Sequence, residues 1–143
     1  MYSGYYRKPH YYETDQMGIV HHSNYIRWFE EARVDLLDYL ELSYQEMEKA
    51  GLIVPVLEVS CQYKGMVYYG DIVRIDTFVA KYNGSRLDFS YKVINEKDQL
   101  VTTGTSKHCF LEQQSHDFIQ LKKSYPKFHQ IFANYLDHSS TNP

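Results

Sequence analysis

Residues 25–40 read Tyr25-Ile26-Arg27-Trp28-Phe29-Glu30-Glu31-Ala32-Arg33-Val34-Asp35-Leu36-Leu37-Asp38-Tyr39-Leu40, and the rest of the chain is organised around their period. Tyr25, Phe29, Ala32, Leu36 and Leu40 recur at spacings of four, three, four and four, which is one face of an α-helix. Arg27, Glu30, Arg33, Asp35 and Asp38 point elsewhere, while Trp28 and Leu37 widen the apolar face. The pattern predicts a substantially buried helix, with Ser23 or Asn24 as its N-cap. Beyond it, Ser43 to Ala50 reads as a short helix in which Ser43 caps, Glu46 takes the third position and Gly51 stops the chain.

The period then changes from helical to alternating. Val54 to Tyr63 places Pro55, Leu57, Val59, Cys61 and Tyr63 on one face, with Pro55 marking a strand entry or edge. Asp71 to Tyr82 is strand-like, Asn83-Gly84 is a tight-turn signal, and Arg86 to Asn95 puts Leu87, Phe89, Tyr91 and Val93 on one face. A polar turn at residues 95–98 leads into a long strand from Gln99 to Glu112. A last helix is expected from Pro126 to Leu136 with Phe128, Ile131, Phe132 and Tyr135 as its apolar stripe, and residues 138–143 are expected to fray. On the N-terminal side, Gly4 to Glu13 is expected to form a first strand entered or interrupted at Pro9, followed by a loop at residues 14–18. Strand, long helix, then antiparallel meander suits an α+β fold whose sheet curls round one helix.

Composition bounds the rest. The chain has 143 residues, of which 43% are hydrophobic, enough for one core and too few for two. A single domain over residues 1–143 is therefore expected. The oddity is fifteen tyrosines, whose large apolar body and polar tip suit half-buried faces, interfaces and wet pockets. A net charge of −3 with no basic stripe argues against a nucleic-acid partner. No apolar run is long enough to span a bilayer, and the first eight residues lack the apolar segment of a signal peptide. Cys61 and Cys109 fall in strand-like stretches without a CxxC pattern and read as free thiols, so a cytoplasmic protein is expected.

Asp15 is the first candidate for chemistry. It lies in a loop ahead of the long helix, between Thr14 and Gly18, and seven residues before His22. A carboxylate can act as base or nucleophile on a carbon held against it, and a helix start supplies backbone N–H groups and a positive dipole end for an oxyanion. Spacing alone leaves the plainer reading open, in which Asp15 only caps a turn.

The stretch from Tyr11 to Tyr25 adds to this. It resembles the signature of hotdog-fold acyl-CoA thioesterases, in particular the 4-hydroxybenzoyl-CoA thioesterase-like branch with its Tol-Pal-associated short-chain enzymes. That pattern runs Y-x-x-T-D-x-x-G-x-V-x-H-x-x-Y, and Tyr11, Thr14, Asp15, Gly18, Val20, His22 and Tyr25 meet every fixed position. Residues 28–33, Gly70-Asp71 and Gly84-Ser85-Arg86 continue the likeness, which covers about residues 5–115 in element order. The resemblance implies a curled antiparallel five-stranded sheet, in order 1-3-4-5-2, wrapped round a long central helix, with a C-terminal helix closing the domain. It implies acyl-CoA hydrolysis with Asp15 as the catalytic carboxylate, the backbone N–H at or near His22 as the oxyanion donor, and the His22 side chain positioning carbonyl or water. It further implies a homodimer or tetramer with shared active sites, the second strand (Val54 to Tyr63) pairing across the dimer.

Substrate contacts are assigned on the same footing to Tyr11, Gly18 and Tyr25; candidates for the CoA phosphates, which need cations, are Lys64, Ser85 and Arg86, with Lys107, and these also read as ordinary surface groups. No cofactor and no metal are expected: His21 and His22 are adjacent, about 100° apart if helical, and a thiolate leaves without Lewis-acid help. His108 reads as a sheet histidine, and Glu30 and Glu31 as a solvated or paired helix face. Cys61 and Cys109 lack the helix-start or basic flank of a reactive thiolate, and no G-x-S-x-G is present. The rival readings are a thioesterase acting on acyl carrier protein esters and a non-catalytic acyl-CoA-binding or regulatory module. A hydratase of the same fold needs an Asp/His motif that this sequence lacks.

Overall fold

Arg7 and Pro9 decide how the chain begins. In the computed structural model, which describes residues 2–139, the first strand β1 spans only Tyr5–Arg7, not the ten residues expected from composition. Pro9 has no N–H to give a ladder, and the chain instead folds into a single 3-10 turn at Tyr11–Glu13, where the Glu13 N–H donates to the His10 carbonyl at 2.9 Å.

The long helix α1 covers Asn24–Tyr39, so Leu40 falls just outside it. Trp28, Phe29, Ala32, Leu36 and Leu37 are all buried, as the period predicts. Arg33 departs from expectation: it is only 5% exposed, and its Nη1 donates to the Tyr91 hydroxyl at 3.0 Å. Helix α2 is Tyr44–Lys49, capped by Ser43 Oγ accepting from the Glu46 N–H at 3.1 Å, and Gly51 follows at φ +88. That positive φ is the left-handed exit for which glycine is suited.

The remaining elements are β2 (Leu52–Ile53), β3 (Val56–Tyr63), β4 (Val73–Tyr82), β5 (Arg86–Ile94), β6 (Leu100–Cys109), β7 (Leu111–Glu112), α3 (Leu121–Ser124) and α4 (Pro126–Ser139). The main sheet has five strands in the order β1-β4-β5-β6-β3, with β1 antiparallel to β4 and Tyr6 opposite Arg74. Counting only its own strands in chain order, this is 1-3-4-5-2. The expected strand from Gln99 to Glu112 is divided: β6 belongs to the main sheet, and β7 turns away to pair with β2. Helix α4 extends three residues past the expected end, through part of the stretch expected to fray; residues 140–143 lie outside those described.

Chain contacts group into two compact units. The first comprises Met1–Leu36, Ser60–Thr77 and Tyr91–Gly104. Within it, Phe29 of α1 stacks on Tyr91 of β5, the ring centroids 4.5 Å apart and the planes 9° from parallel, worth about 1 kcal/mol beyond burial. Gly104 of β6 meets the same Phe29 ring from below. The second unit comprises Leu37–Val59, Phe78–Ser90 and Thr105–Pro143. Within it, Tyr82 packs against Phe110 and Phe132 and bonds His129 Nδ1 at 2.7 Å. The Asn83 side chain accepts from the Ser85 and Arg86 N–H groups, with Gly84 at φ +91 making the turn.

A methyl group at position 104 would collide with the edge of the Phe29 ring and lie 2.9 Å from the Ser60 carbonyl oxygen. Neither neighbour has room to give. Gly104→Ala is therefore expected to lose about 1–3 kcal/mol of unfolding free energy, read as a lowered urea midpoint at unchanged slope.

Candidate active site

Gly18 closes a loop that holds a carboxylate by its backbone. Residues 15–18 form a tight turn in which the Gly18 N–H donates to the Asp15 carbonyl at 3.0 Å, with Gly18 at φ +76. The flanks pair: Thr14 bridges Val20, and the Asp15 N–H donates to the Ile19 carbonyl at 2.9 Å. A second loop braces the first, since Val20 N–H reaches the Val67 carbonyl at 2.8 Å and Tyr69 N–H reaches the Gly18 carbonyl at 3.0 Å.

The turn-capping reading of Asp15 is met by one of its two carboxylate oxygens. Its Oδ1 accepts from the Met17 N–H at 2.8 Å and the Ile19 N–H at 3.4 Å, which is turn capping. Among the described residues, Oδ2 accepts nothing. The carboxylate is exposed and lines a cavity of about 210 Å³ together with Ile19, Val20, His21, His22, Tyr25, Tyr63, Gly65 and Met66.

His22 stands immediately before α1, not on it. The helix begins at Asn24, whose N–H donates to the His21 carbonyl at 3.0 Å, and Tyr25 N–H reaches the His22 carbonyl at 3.4 Å. Outside helical geometry the two histidine rings do not diverge by a helical step: their centroids lie 4.1 Å apart, inclined by 31°. His21 Nδ1 is occupied by Ser23, receiving its N–H at 3.2 Å and lying 2.9 Å from its hydroxyl. Among the described residues the His22 N–H donates to no acceptor, and the first turn of α1 carries no acidic side chain to offset the positive end of the helix dipole.

Tyr63 forms the opposite wall. Its hydroxyl donates to the His22 carbonyl at 3.2 Å, and its ring meets those of Tyr25 at 5.4 Å and His22 at 6.1 Å. Burial, then the neighbouring Cys61, pushes the Tyr63 phenol up to about 12, so it remains a donor across the physiological range. Burial raises Tyr25 likewise.

One residue that sequence spacing did not single out holds the arrangement together. Glu13 is 3% exposed, and its carboxylate receives Arg7 Nη1 and Nη2 at 2.9 Å each, the Trp28 indole N–H at 2.9 Å and the His10 N–H at 2.7 Å. Its backbone carbonyl receives the His21 N–H at 2.9 Å and the Asn24 side chain at 2.8 Å. Arg7 also binds Glu31 at 2.7 Å, so Glu31 is a paired helix residue, as one reading of that face expected. Glu13 lies at an unconstrained position of the motif, and the only sequence signal for it was an arginine six residues earlier.

The other expected contacts are scattered. Tyr11 is exposed and meets Tyr69 edge-on at 5.6 Å. Gly18 shapes the loop without lining the cavity. Lys64 is exposed beside Tyr63, and its N–H shares the Val101 carbonyl with that of Gly65. Ser85 and Arg86 belong to the hairpin of the second unit, where Ser85 Oγ accepts from Gln120. Lys107 pairs with Glu58 at 3.3 Å in the open, a contact of little energetic weight. His108 is a buried sheet histidine, with Nε2 2.8 Å from the Ser106 hydroxyl.

Comparison with known proteins now has a geometry to bear on. The profile of the thioesterase-like superfamily matches residues 9–130. The Bacillus subtilis protein YneP, provisionally named an acyl-CoA thioesterase, is 36% identical over 122 residues, covering 85% of this chain and 88% of that one. A 1,4-dihydroxy-2-naphthoyl-CoA hydrolase of Thermosynechococcus vestitus is 29% identical over 109 residues, 76% of this chain and 75% of its own. The crystal structure of a DHNA-CoA thioesterase from Staphylococcus aureus superposes with a TM-score of 0.90 at 33% identity, covering 99% of this chain and 95% of the other.

Burial alone would raise the Glu13 carboxyl, but His10, Trp28 and Arg7 outweigh it and hold the group below its ordinary value of 4.5. A carboxyl depressed in the folded state stabilises fully above the unfolded pKa and loses that contribution as pH falls through the folded one. Glu13→Gln should therefore cost about 3 kcal/mol at pH 7. The gap to wild type should narrow below pH 4.5, where the unfolded chain takes up the proton first, and close as pH falls through the lower folded value. Urea denaturation at pH 7 and pH 3 measures both; an equal gap at the two values would rule out the ion pair as its source.

Proposed function

The chain belongs to the thioesterase-like superfamily, and we propose that it is an acyl-CoA thioesterase, converting acyl-CoA and water to a free carboxylate and CoA. The observation that carries this is the cavity in which the Asp15 carboxylate, anchored through one oxygen, shares space with His22 just ahead of α1. Asp15 Oδ2 takes a proton from water as the water oxygen bonds to the thioester carbon, or itself bonds to that carbon to give a mixed anhydride that water then cleaves. In both routes the carbonyl oxygen becomes an oxyanion received by the His22 N–H. The C–S bond breaks with its electron pair going to sulfur; the thiolate takes up the proton held by Asp15 in the first route and, in the second, a proton released as water cleaves the anhydride. The His22 side chain positions the carbonyl or the water.

Further parts of the reading belong to the same proposal. One domain carries the site, its sheet curled round α1. Tyr11, Gly18 and Tyr25 contact substrate, Lys64, Ser85 and Arg86 meet the CoA phosphates, and the protein works in the cytoplasm. Among the described residues no helix is long and apolar enough to cross a membrane. A homodimer or tetramer with shared sites is supported by β3, which ends the sheet order and exposes Val56, Leu57 and Tyr63 along a strand of eight residues. A long exposed edge of that kind pairs readily with a second copy.

Purified protein should release free thiol from at least one of a panel of short, long and aromatic acyl-CoAs. Asp15→Asn should reduce kcat by at least about 10³-fold while circular dichroism stays unchanged. An Asn variant as fast as wild type removes Asp15 from the mechanism, and stabilisation by CoA without turnover on any ester indicates a binding module. Light scattering should give at least twice the 17.0 kDa chain mass. Leu57→Lys, which sets a charge on the β3 edge, should shift that mass toward the monomer.

A further inference from the structure

We propose that Asn24 is a positioning residue that sets the gap between the Asp15 carboxylate and the His22 peptide. The inference rests on the reading of Asp15 and His22 as the reacting groups. An asparagine at a helix start ordinarily turns its side-chain oxygen toward the exposed N–H groups. This one does the reverse. Its Nδ2 donates to the Glu13 carbonyl at 2.8 Å and to the His21 carbonyl at 3.2 Å, and the residue is 7% exposed. Both partners are carbonyl oxygens, which only accept, so only the amide nitrogen can face them.

The clamp closes on the two segments that carry the site. Asp15 follows Glu13 by two residues, and His22 follows His21 directly. The His21 N–H also donates to the Glu13 carbonyl, so two donors from the helix side converge on one oxygen from the loop side. That oxygen belongs to a residue whose own carboxylate is held by Arg7 and Trp28. Asn24 thus transmits a rigid anchor to both reacting groups without itself lining the cavity.

Two variants separate this from a stabilising role. Asn24→Asp keeps the shape but sets an acceptor against two acceptors; Asn24→Ala removes the side chain. Both are expected to fold at 20 °C or above, to lower kcat by about 10–100-fold, and to leave KM within about twofold. Tyr125→Phe deletes a tertiary hydrogen bond of similar length, to the Ala50 carbonyl at 2.7 Å, and should leave kcat unchanged. Without any substrate, amide exchange at Asp15 and His21 should accelerate by about tenfold in the Asn24 variants.

Wild-type kcat in either folded variant overturns the proposal, as does failure of both to fold, which would make Asn24 a stability residue only. If wild type turns over none of acetyl-, benzoyl- and palmitoyl-CoA, the functional reading fails by itself. Exchange then decides the clamp: acceleration at Asp15 and His21 supports it, and unchanged exchange overturns it.

Discussion

A carboxylate buried as deeply as that of Glu13 is tolerable only when every lone pair facing inward has a donor. Four donors from three places meet that demand: the Arg7 guanidinium on β1, the His10 N–H in the turn, and the Trp28 indole on α1. The demand of one side chain therefore joins the first strand, the loop and the long helix. The Arg7 guanidinium, 5.4 Å from the Trp28 ring centroid, adds a cation–π contact to the same joint. Because Asp15 and His22 lie just beyond the two ends of this joint, the candidate site inherits its rigidity from a residue that takes no part in chemistry.

Asp15 shows how a loop carboxylate is kept both ordered and available. One oxygen is committed to the N–H groups of its own turn, which removes rotational freedom, while the other accepts no hydrogen bond among the described residues. Under the proposed acyl transfer, such preorganisation spares the reacting oxygen a search for its geometry at each turnover. The tyrosines of the site divide similarly. Both line the cavity, but Tyr25 is almost fully buried, whereas Tyr63 is half-exposed and keeps its hydroxyl on the His22 carbonyl.

Much of the fold was legible residue by residue. The alternation of Leu87, Phe89, Tyr91 and Val93 against polar neighbours reads directly as β5, and Asn83-Gly84 as its turn, because side-chain period and turn chemistry are local properties. Ser43, Glu46 and Gly51 delimit α2 for the same reason. Arg33 was not legible: on period alone it belongs to the wet face, and its burial rests on tertiary partners such as the Tyr91 hydroxyl on a distant strand. The short β1 was equally hidden, since the capture of the chain by Glu13 is a tertiary event. So was the division between β6 and β7, because alternation continues unbroken while the pairing partner changes.

The sequence by itself determined the longer elements, their order and the loop that bears Asp15, since each of these follows from period, capping residues and a spaced motif. It could not determine which oxygen of Asp15 its turn holds, how His21 and His22 stack, or that Glu13 and Asn24 tie loop to helix. Those depend on groups brought together from positions up to some forty residues apart, such as Tyr63 and His22, and a hydrogen bond across that separation leaves no periodic trace along the chain.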